Sequence, residues 1–489
     1  MDVFAQRRAG VLLHPTSLPG AAGNGDLGPD AYRFVDFLSD CGVSVWQTLP
    51  LGPTHDDLSP YQCLSVHAGN IRLVSLQPLV ELGWLDEAGL DESQPLQPQR
   101  KVRLVAAFNG FQRNANDDDR QAFTRFVGEH AGWLEDYALY EALRAANGSR
   151  PWYDWPEKIR NRHQSVLAEE RRRLAGAIEQ IRFEQFLFYR QWRQLRQYAN
   201  DRGVLLFGDI PIFVAYDSAD VWAHREWFSV DADGHLVKVA GVPPDYFSAT
   251  GQRWGNPLYR WDVLQQDGFR CWIERIRSQL EIFDLVRIDH FRGFEAFWEI
   301  DADAETAVDG KWVKGPGDAF FEVLERELGD LPLVAEDLGV ITPEVTALRE
   351  QFRLPGMKIL QFAFDGTADN PYLPHNHEKC CVVYTGTHDN NTSLGWYQDI
   401  DVQQRTRVRH YLGDSPEPMP WLLARAALSS VAFLAVLPMQ DVLGLDGAHR
   451  MNVPGVCDGN WGWRFDWSQL QDEHRNRLRE WVSLYGRCV

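Results

Sequence analysis

Three acids stand at the ends of apolar runs: Asp289 after "DLVRI", Glu336 after "PLVA" and Asp389 after "CCVVYTGTH". Paired carboxyls of this kind suit cleavage of a glycosidic bond. One must be ionised to attack or stabilise the anomeric carbon, and the other protonated to help the leaving oxygen depart. Holding two acids in different states requires different surroundings, and the neighbours differ in the right sense. Arg287 precedes Asp289 by two residues, so on a strand both side chains share a face. A guanidinium there favours the ionised carboxylate a nucleophile needs. Glu336 follows apolar residues, which favour its protonated form. Asp337 opposes this little, since alternation turns it the other way. The bland alternatives are a salt bridge for Arg287 and helix caps for the acids. Caps explain one or two such residues, not an acid at the end of most runs.

The elements that would position these acids are short apolar runs at 9–15, 42–50, 203–214, 283–291, 331–339, 356–365, 380–389 and 431–441. They are continuous rather than alternating, as strands buried on both faces of a parallel sheet are. Amphipathic segments separate several of them, at 30–40, 180–200 and 317–328, and a helix around 342–352 opens with "TPEV". There Thr342 is expected to cap and Pro343 to fill the first turn. Eight strands alternating with helices predict an α/β fold, a (β/α)8 TIM barrel. Polar residues gather at the C-terminal ends of the runs, where such a barrel places its site: His14, Asp209, Asp289, Glu336, His388 with Asp389, and Gln440 with Asp441. The whole chain, 1–489, reads as one catalytic barrel with several insertions. These are a mostly helical subdomain at 75–180, a segment at 215–260 rich in Trp, Tyr, Gly and Pro, and a third at 444–466.

Composition narrows the partners. A formal net charge of −20 argues against nucleic acid, which demands a positive footprint. The basic run "EERRRLAG" at 169–176 has acids beside it and reads as a solvated helix face. The chain carries 19 Trp, 15 Tyr and 26 Phe, an aromatic load that suits both core packing and stacking on sugar rings. Seven Cys form no C-x-x-C pair. Cys380 and Cys381 adjoin in an apolar run, which suggests buried, reduced thiols and a cytoplasmic protein. The opening "MDVFAQRRAGVLLHP" lacks the apolar core of an export signal, and no run is long enough to span a membrane. "DADGH" and "DADAE" look calcium-like but lack the remaining loop ligands, so they read as turn acids and no metal is expected.

"VRIDHFRGF", "AEDLG" and "GTHDNNT", in this order, closely resemble the amylomaltase or 4-α-glucanotransferase family, a branch of the α-amylase clan. The resemblance spans nearly the whole chain, through "LLHPTSLPG", "SPYQ", "GDIPIFVAYDSADVW", "GVPPDYFSATGQRWGNPLY", "RMNVPG" and "GNWGWR". It implies a (β/α)8 barrel without cofactor. The reaction it implies cleaves α-1,4 bonds of maltooligosaccharides, or of glucans derived from starch or glycogen. The freed glucan passes to the 4-hydroxyl of glucose or another glucan, by a retaining double displacement. Carried over, Asp289 is the nucleophile, Glu336 the acid and later the base, and Asp389 the third acid that holds sugar hydroxyls. Arg287 and His388 grip the donor sugar; His14, Ser59, Tyr61 and Asp209 line its site, with Asn460 and Trp461 on the donor side. The stretch Gly241–Trp254 resembles the family's lid, with Tyr246, Phe247 and Trp254 as stacking surfaces and Pro243 and Pro244 stiffening it. In one departure, "THDDLSPYQ" replaces a Gly-aromatic-Gly-Asp stretch, so an aromatic used by some members at a secondary glucan site is missing near Asp56. Two other readings stand beside this one. An α-1,4-glucan hydrolase would share the three acids, and an inactive glucan-binding protein would be expected to have lost one.

Overall fold

The apolar runs form strands because each is covered on both sides, by a packed interior and by helices. The computed structural model describes residues 3–20, 24–90, 96–244, 248–413, 415–456 and 458–489. Twelve strands occur among the described residues: β1 (Arg8–Leu12), β2 (Val45–Gln47), β3 (Leu205–Pro211), β4 (Lys238–Val242), β5 (Gln252–Pro257), β6 (Leu285–Asp289), β7 (Ala296–Asp301), β8 (Gly310–Lys314), β9 (Leu333–Ala335), β10 (Gly356–Ile359), β11 (Cys381–Tyr384) and β12 (Leu434–Pro438). Eight of them build one parallel sheet in the order β10-β11-β12-β1-β2-β3-β6-β9. Seven of the eight lie within the expected runs, β1 begins one residue ahead of its run at 9–15, and the sheet curls into the (β/α)8 barrel.

The sheet's two end strands meet at a seam without a regular ladder. There the Ala335 N–H donates to the Pro355 carbonyl at 2.8 Å. The Asp337 carboxylate accepts from the Met357 N–H at 2.7 Å and lies 3.2 Å from Arg349 Nε. Asp337 therefore does turn away from Glu336, and it works as a clip between β9 and the segment of β10.

Period-two alternation divides the strands between two layers. Phe207, Leu285, Val334, Val382, Leu434 and Val436 pack together inside the barrel. Leu206, Val286, Ile288, Ala335, Val383 and Ala435 pack outward in the layer shared with the helices. Arg287 and Asp289 stand two and four residues beyond Leu285, which puts both on the inner side.

Helices Pro29–Asp40, Ala175–Asn200, Asp318–Leu328 and Pro343–Gln351 stand where amphipathic patterning places them. Thr342 occupies the N-cap of the last, but its hydroxyl makes no capping bond. Between β2 and β3 the chain is mainly helical, including Leu96–Asn114, Asp117–Glu129 and Ala131–Ala146. Phe183 of the long Ala175–Asn200 helix gathers Phe108, Phe111 and Phe123 around it, joining these helices to the barrel's outer layer. Among the described residues no helix is long and apolar enough to cross a membrane.

A second sheet was not expected from the sequence. It is antiparallel, in the order β5-β4-β7-β8, and follows β3 and β6 as excursions from their C-terminal ends. Its strands are half-exposed, with Trp298 facing Trp312 across β7 and β8. The reading of the cysteines needs one correction. Cys381 is buried in β11, whereas Cys380 precedes the strand and is exposed.

Candidate active site

The C-terminal ends of β6, β9 and β11 open into a cleft of about 1830 Å³ whose walls include Asp289, Glu336 and Asp389. Residues some fifty positions apart in sequence are thus brought to one rim by barrel closure.

Asp289 ends β6 and is a third exposed. Arg287 reaches it from the same face, its Nη2 donating to Asp289 Oδ1 at 2.6 Å, while Nη1 donates to Asp209 Oδ2 at 2.6 Å. Strand register explains the bridge, because Asp209 of β3 sits opposite Arg287 of β6. Asp209 is 1% exposed and takes a further bond from the Tyr61 hydroxyl at 2.8 Å. Burial pushes its pKa up and the Arg287 charge pulls it back. One guanidinium thus serves two carboxylates, holding the buried one in place and fixing the angle of the one that faces the cleft.

Glu336 lies one residue past β9, on the inner face, and is 9% exposed. Burial, reinforced by the nearby Asp289 charge, pushes its carboxyl up to about 8, against the opposing pull of Arg287. Both of its oxygens accept backbone bonds. Oε2 takes the His290 N–H at 2.7 Å and Oε1 the Leu338 N–H at 3.0 Å. His290 can aim its N–H there because it adopts a left-handed conformation (φ 55°, ψ 47°) directly after Asp289. The turn that ends the strand of Asp289 therefore also anchors the second acid.

Asp389 follows β11 on a turn and is about half exposed. Its Oδ1 accepts from Asn452 Nδ2 at 2.7 Å and lies 3.3 Å from His388 Nε2. His388 stacks on Tyr61 with ring centroids 5.1 Å apart, and Trp461 leans on both. Replacing Asn452 by Ala leaves Asp389 free to swing, so kcat/KM is expected to fall about tenfold with little loss of stability. Steady-state rates and a melting curve of this variant check it.

Of the other expected residues, Ser59, Tyr61, Trp254, Arg287, His388 and Trp461 all border the same cleft. Trp254 stands edge-on to the His290 ring, centroids 4.8 Å apart. His14 and Trp461 border an adjoining pocket of about 330 Å³. Burial depresses the His14 pKa to about 3, so this ring is a neutral hydrogen-bonding group. Asp209 lies behind the cleft, reaching it through Arg287 and Tyr61. The Asn460 amide holds the loop that carries Asn452, accepting from the Val453 N–H at 2.9 Å and donating to the Val456 carbonyl at 2.8 Å. Tyr246 and Phe247 lie outside the described residues. The acids of "DADGH" hold a turn, Asp231 Oδ1 accepting the N–H groups of Asp233 and His235 at 2.9 Å.

With this geometry in view, comparison with known proteins is direct. The sequence model of the family described as 4-alpha-glucanotransferase matches residues 13–470. A 4-alpha-glucanotransferase of Thermus thermophilus is 51% identical over 487 residues, covering 97% of both chains. The chain belongs to the 4-α-glucanotransferase family. Another member, the 4-alpha-glucanotransferase of Synechocystis sp., is 48% identical and covers 99% of both chains. Among solved structures, the amylomaltase of Streptococcus agalactiae, in complex with acarbose, superposes with a TM-score of 0.95 at 36% identity. It covers 99% of this chain and 100% of its own. The fold expected of a 4-α-glucanotransferase is therefore the fold found.

Three participants escaped the sequence reading of this family site. His290 contributes through its backbone, for which a side-chain motif gives no signal. Asn452 sits inside "RMNVPG", a stretch noted as a motif but not resolved to a residue. Trp312 borders the cleft from β8, a strand that was not anticipated.

Proposed function

We infer that the chain is a 4-α-glucanotransferase that cleaves an α-1,4-glucosidic bond of a maltooligosaccharide and passes the glucan to a sugar 4-hydroxyl. The observation that carries this reading is the asymmetry of the two central acids. Asp289 is gripped by a cation, while Glu336, beside it, is buried and raised to about 8. Asp289 then attacks the anomeric carbon and forms the glycosyl-enzyme, while Glu336 gives its proton to the departing oxygen. An acceptor hydroxyl enters, gives its proton back to Glu336, and displaces Asp289, so the configuration is retained. Such a pair works at a separation of about 5–5.5 Å. Asp389, steadied by Asn452, holds hydroxyls of the donor sugar, and the Tyr61–His388 stack with Trp461 supports its ring. Donor glucans and glucose are the proposed partners and the cytoplasm the proposed location.

Transfer requires a sugar hydroxyl to outcompete water, hence an acceptor held at high effective concentration and an intermediate kept dry. We assign this to the stretch Gly241–Trp254 as a lid. We further assign 75–180 to a helical subdomain and 444–466 to the donor-side wall. Incubation with maltotriose tests the function: glucose plus oligomers longer than the substrate is the expected result. Glucose and maltose alone, with steadily rising reducing ends, would make it a hydrolase.

The acid role carries a sign. Below about pH 8 Glu336 is protonated and can donate; above it the proton is lost. The alkaline limb of kcat/KM is accordingly expected to bend near pH 8, well above the ordinary glutamic range. A limb near pH 4.5 would remove Glu336 as the donor.

A further inference from the structure

We propose that Trp312, backed by Arg292, is a sugar-stacking platform for glucan units that extend beyond the bond being cleaved. The proposal rests on the glucanotransferase reading and deepens it by giving the site a preference for longer chains.

Trp312 is 40% exposed, the one Trp among the exposed large apolar side chains of the described residues, and it borders the cleft that holds the three acids. A Trp ring offers a broad apolar face beside one N–H donor, a surface suited to stacking on a ligand that is apolar on one side and polar at its edge. Its ring is held from two sides. The Arg292 guanidinium lies 3.8 Å from the ring centroid, and Trp298 packs against it at 5.2 Å in an edge-to-face arrangement. Cross-strand pairing fixes this contact, since Trp298 and Trp312 are register partners on β7 and β8. Arg292 is 5% exposed and donates to the Val340 carbonyl, so the cation beneath the ring is itself fixed. A ring set this firmly loses little freedom when a ligand settles on it.

The connections of this platform lead back to the reacting pair. Arg292 follows Asp289 by three residues, and Val340 follows Glu336 by four. The ring is therefore tied to the ends of both catalytic strands, yet it makes no ring contact or hydrogen bond with Asp289, Glu336 or Asp389. Its strand belongs to the added sheet, outside the barrel. Trp312 and the three acids line the same cleft, so a glucan held at the acids can extend along the wall that carries the ring. A flat apolar ring matches the C–H face of glucose, and a neutral oligosaccharide pays no penalty beside the buried cation. An anionic ligand would instead meet Asp289, Glu336 and Asp389 in the same cleft.

The test compares maltoheptaose with maltotriose as substrates for wild type, Trp312→Thr and Trp312→Phe, each with a melting curve. Threonine keeps strand propensity without a ring; phenylalanine keeps a smaller one. The expected result is that the ratio of kcat/KM for maltoheptaose to that for maltotriose falls about five- to tenfold in Trp312→Thr. Phenylalanine is expected to restore most of that ratio. An unchanged ratio in Trp312→Thr, or a Phe variant no better than Thr, overturns the platform while leaving the transfer reading intact. A wild type that does not lengthen maltotriose removes both.

Discussion

Replacing Asp289 by Asn abolishes turnover while the protein stays folded. The amide keeps the size and one acceptor oxygen, so Arg287 retains a hydrogen bond there and its full ion pair with Asp209. What disappears is the negative charge that we propose attacks the anomeric carbon and stabilises the developing positive charge. A loss of about 10⁴-fold or more in kcat is expected, as for other groups acting as one unit with their partners. The stability change stays near 1 kcal/mol, because Asp289 is partly exposed and its pairing is screened. The variant has a second signature. Asp289's charge is one of the causes that raise Glu336, so removing it lowers that carboxyl towards the ordinary range. Chain-length analysis of maltotriose digests reads the first effect, and a carboxyl titration by isotope-edited spectroscopy reads the second. Activity within a hundredfold of wild type would remove Asp289 from the nucleophile's role.

The second large effect falls on the fold as well as on the chemistry. Arg287→Met deletes the guanidinium shared by Asp209 and Asp289. Asp209 is then left buried with its cation gone, keeping the Tyr61 hydroxyl bond and the more distant His388. Uncompensated burial of this kind costs about 3–5 kcal/mol, and the position of Asp289 loosens at the same time. Lysine is a poor remedy, because its compact ammonium lacks the planar fork that reaches the two carboxylates from separate nitrogens. The discriminating measurement is the double variant Arg287→Met with Asp209→Asn. It recovers much of the lost denaturation midpoint, since no buried charge remains, but none of the lost activity. If the midpoint does not recover, the destabilisation has another source than the stranded carboxylate.

What the sequence disclosed follows from which residues speak through side chains. The eight barrel strands were legible because runs such as "GVLLFGDIPIF" are apolar without alternation, the pattern of a strand covered on both sides. Arg287 and Asp289 were legible because two-residue spacing on a strand fixes a common face. The antiparallel sheet was not legible. "KVAGV" and "QRWGNP" carry glycine and polar residues, and "GKWVK" is mostly exposed, so none gives a hydrophobic period. The anchoring of Glu336 by the His290 N–H was hidden for another reason. It depends on a left-handed backbone turn, which a glycine advertises and a histidine signals only weakly. Asn452 was hidden by distance, since nothing local ties it to Asp389. The expected cap at Thr342 failed in detail while the helix began where expected.

The clip at the seam between β9 and β10 has a consequence for anyone who would engineer this protein. An open joint in an otherwise continuous barrel invites thermostabilising redesign, by a tighter clasp or a covalent staple. Here the clasp is Asp337 and its immediate neighbour is Glu336. Any reinforcement that rotates or shifts that pair of residues moves the proposed proton donor as it strengthens the wall. Robustness is better sought between β1 and its neighbours β12 and β2, which pair in regular register and carry none of the three acids.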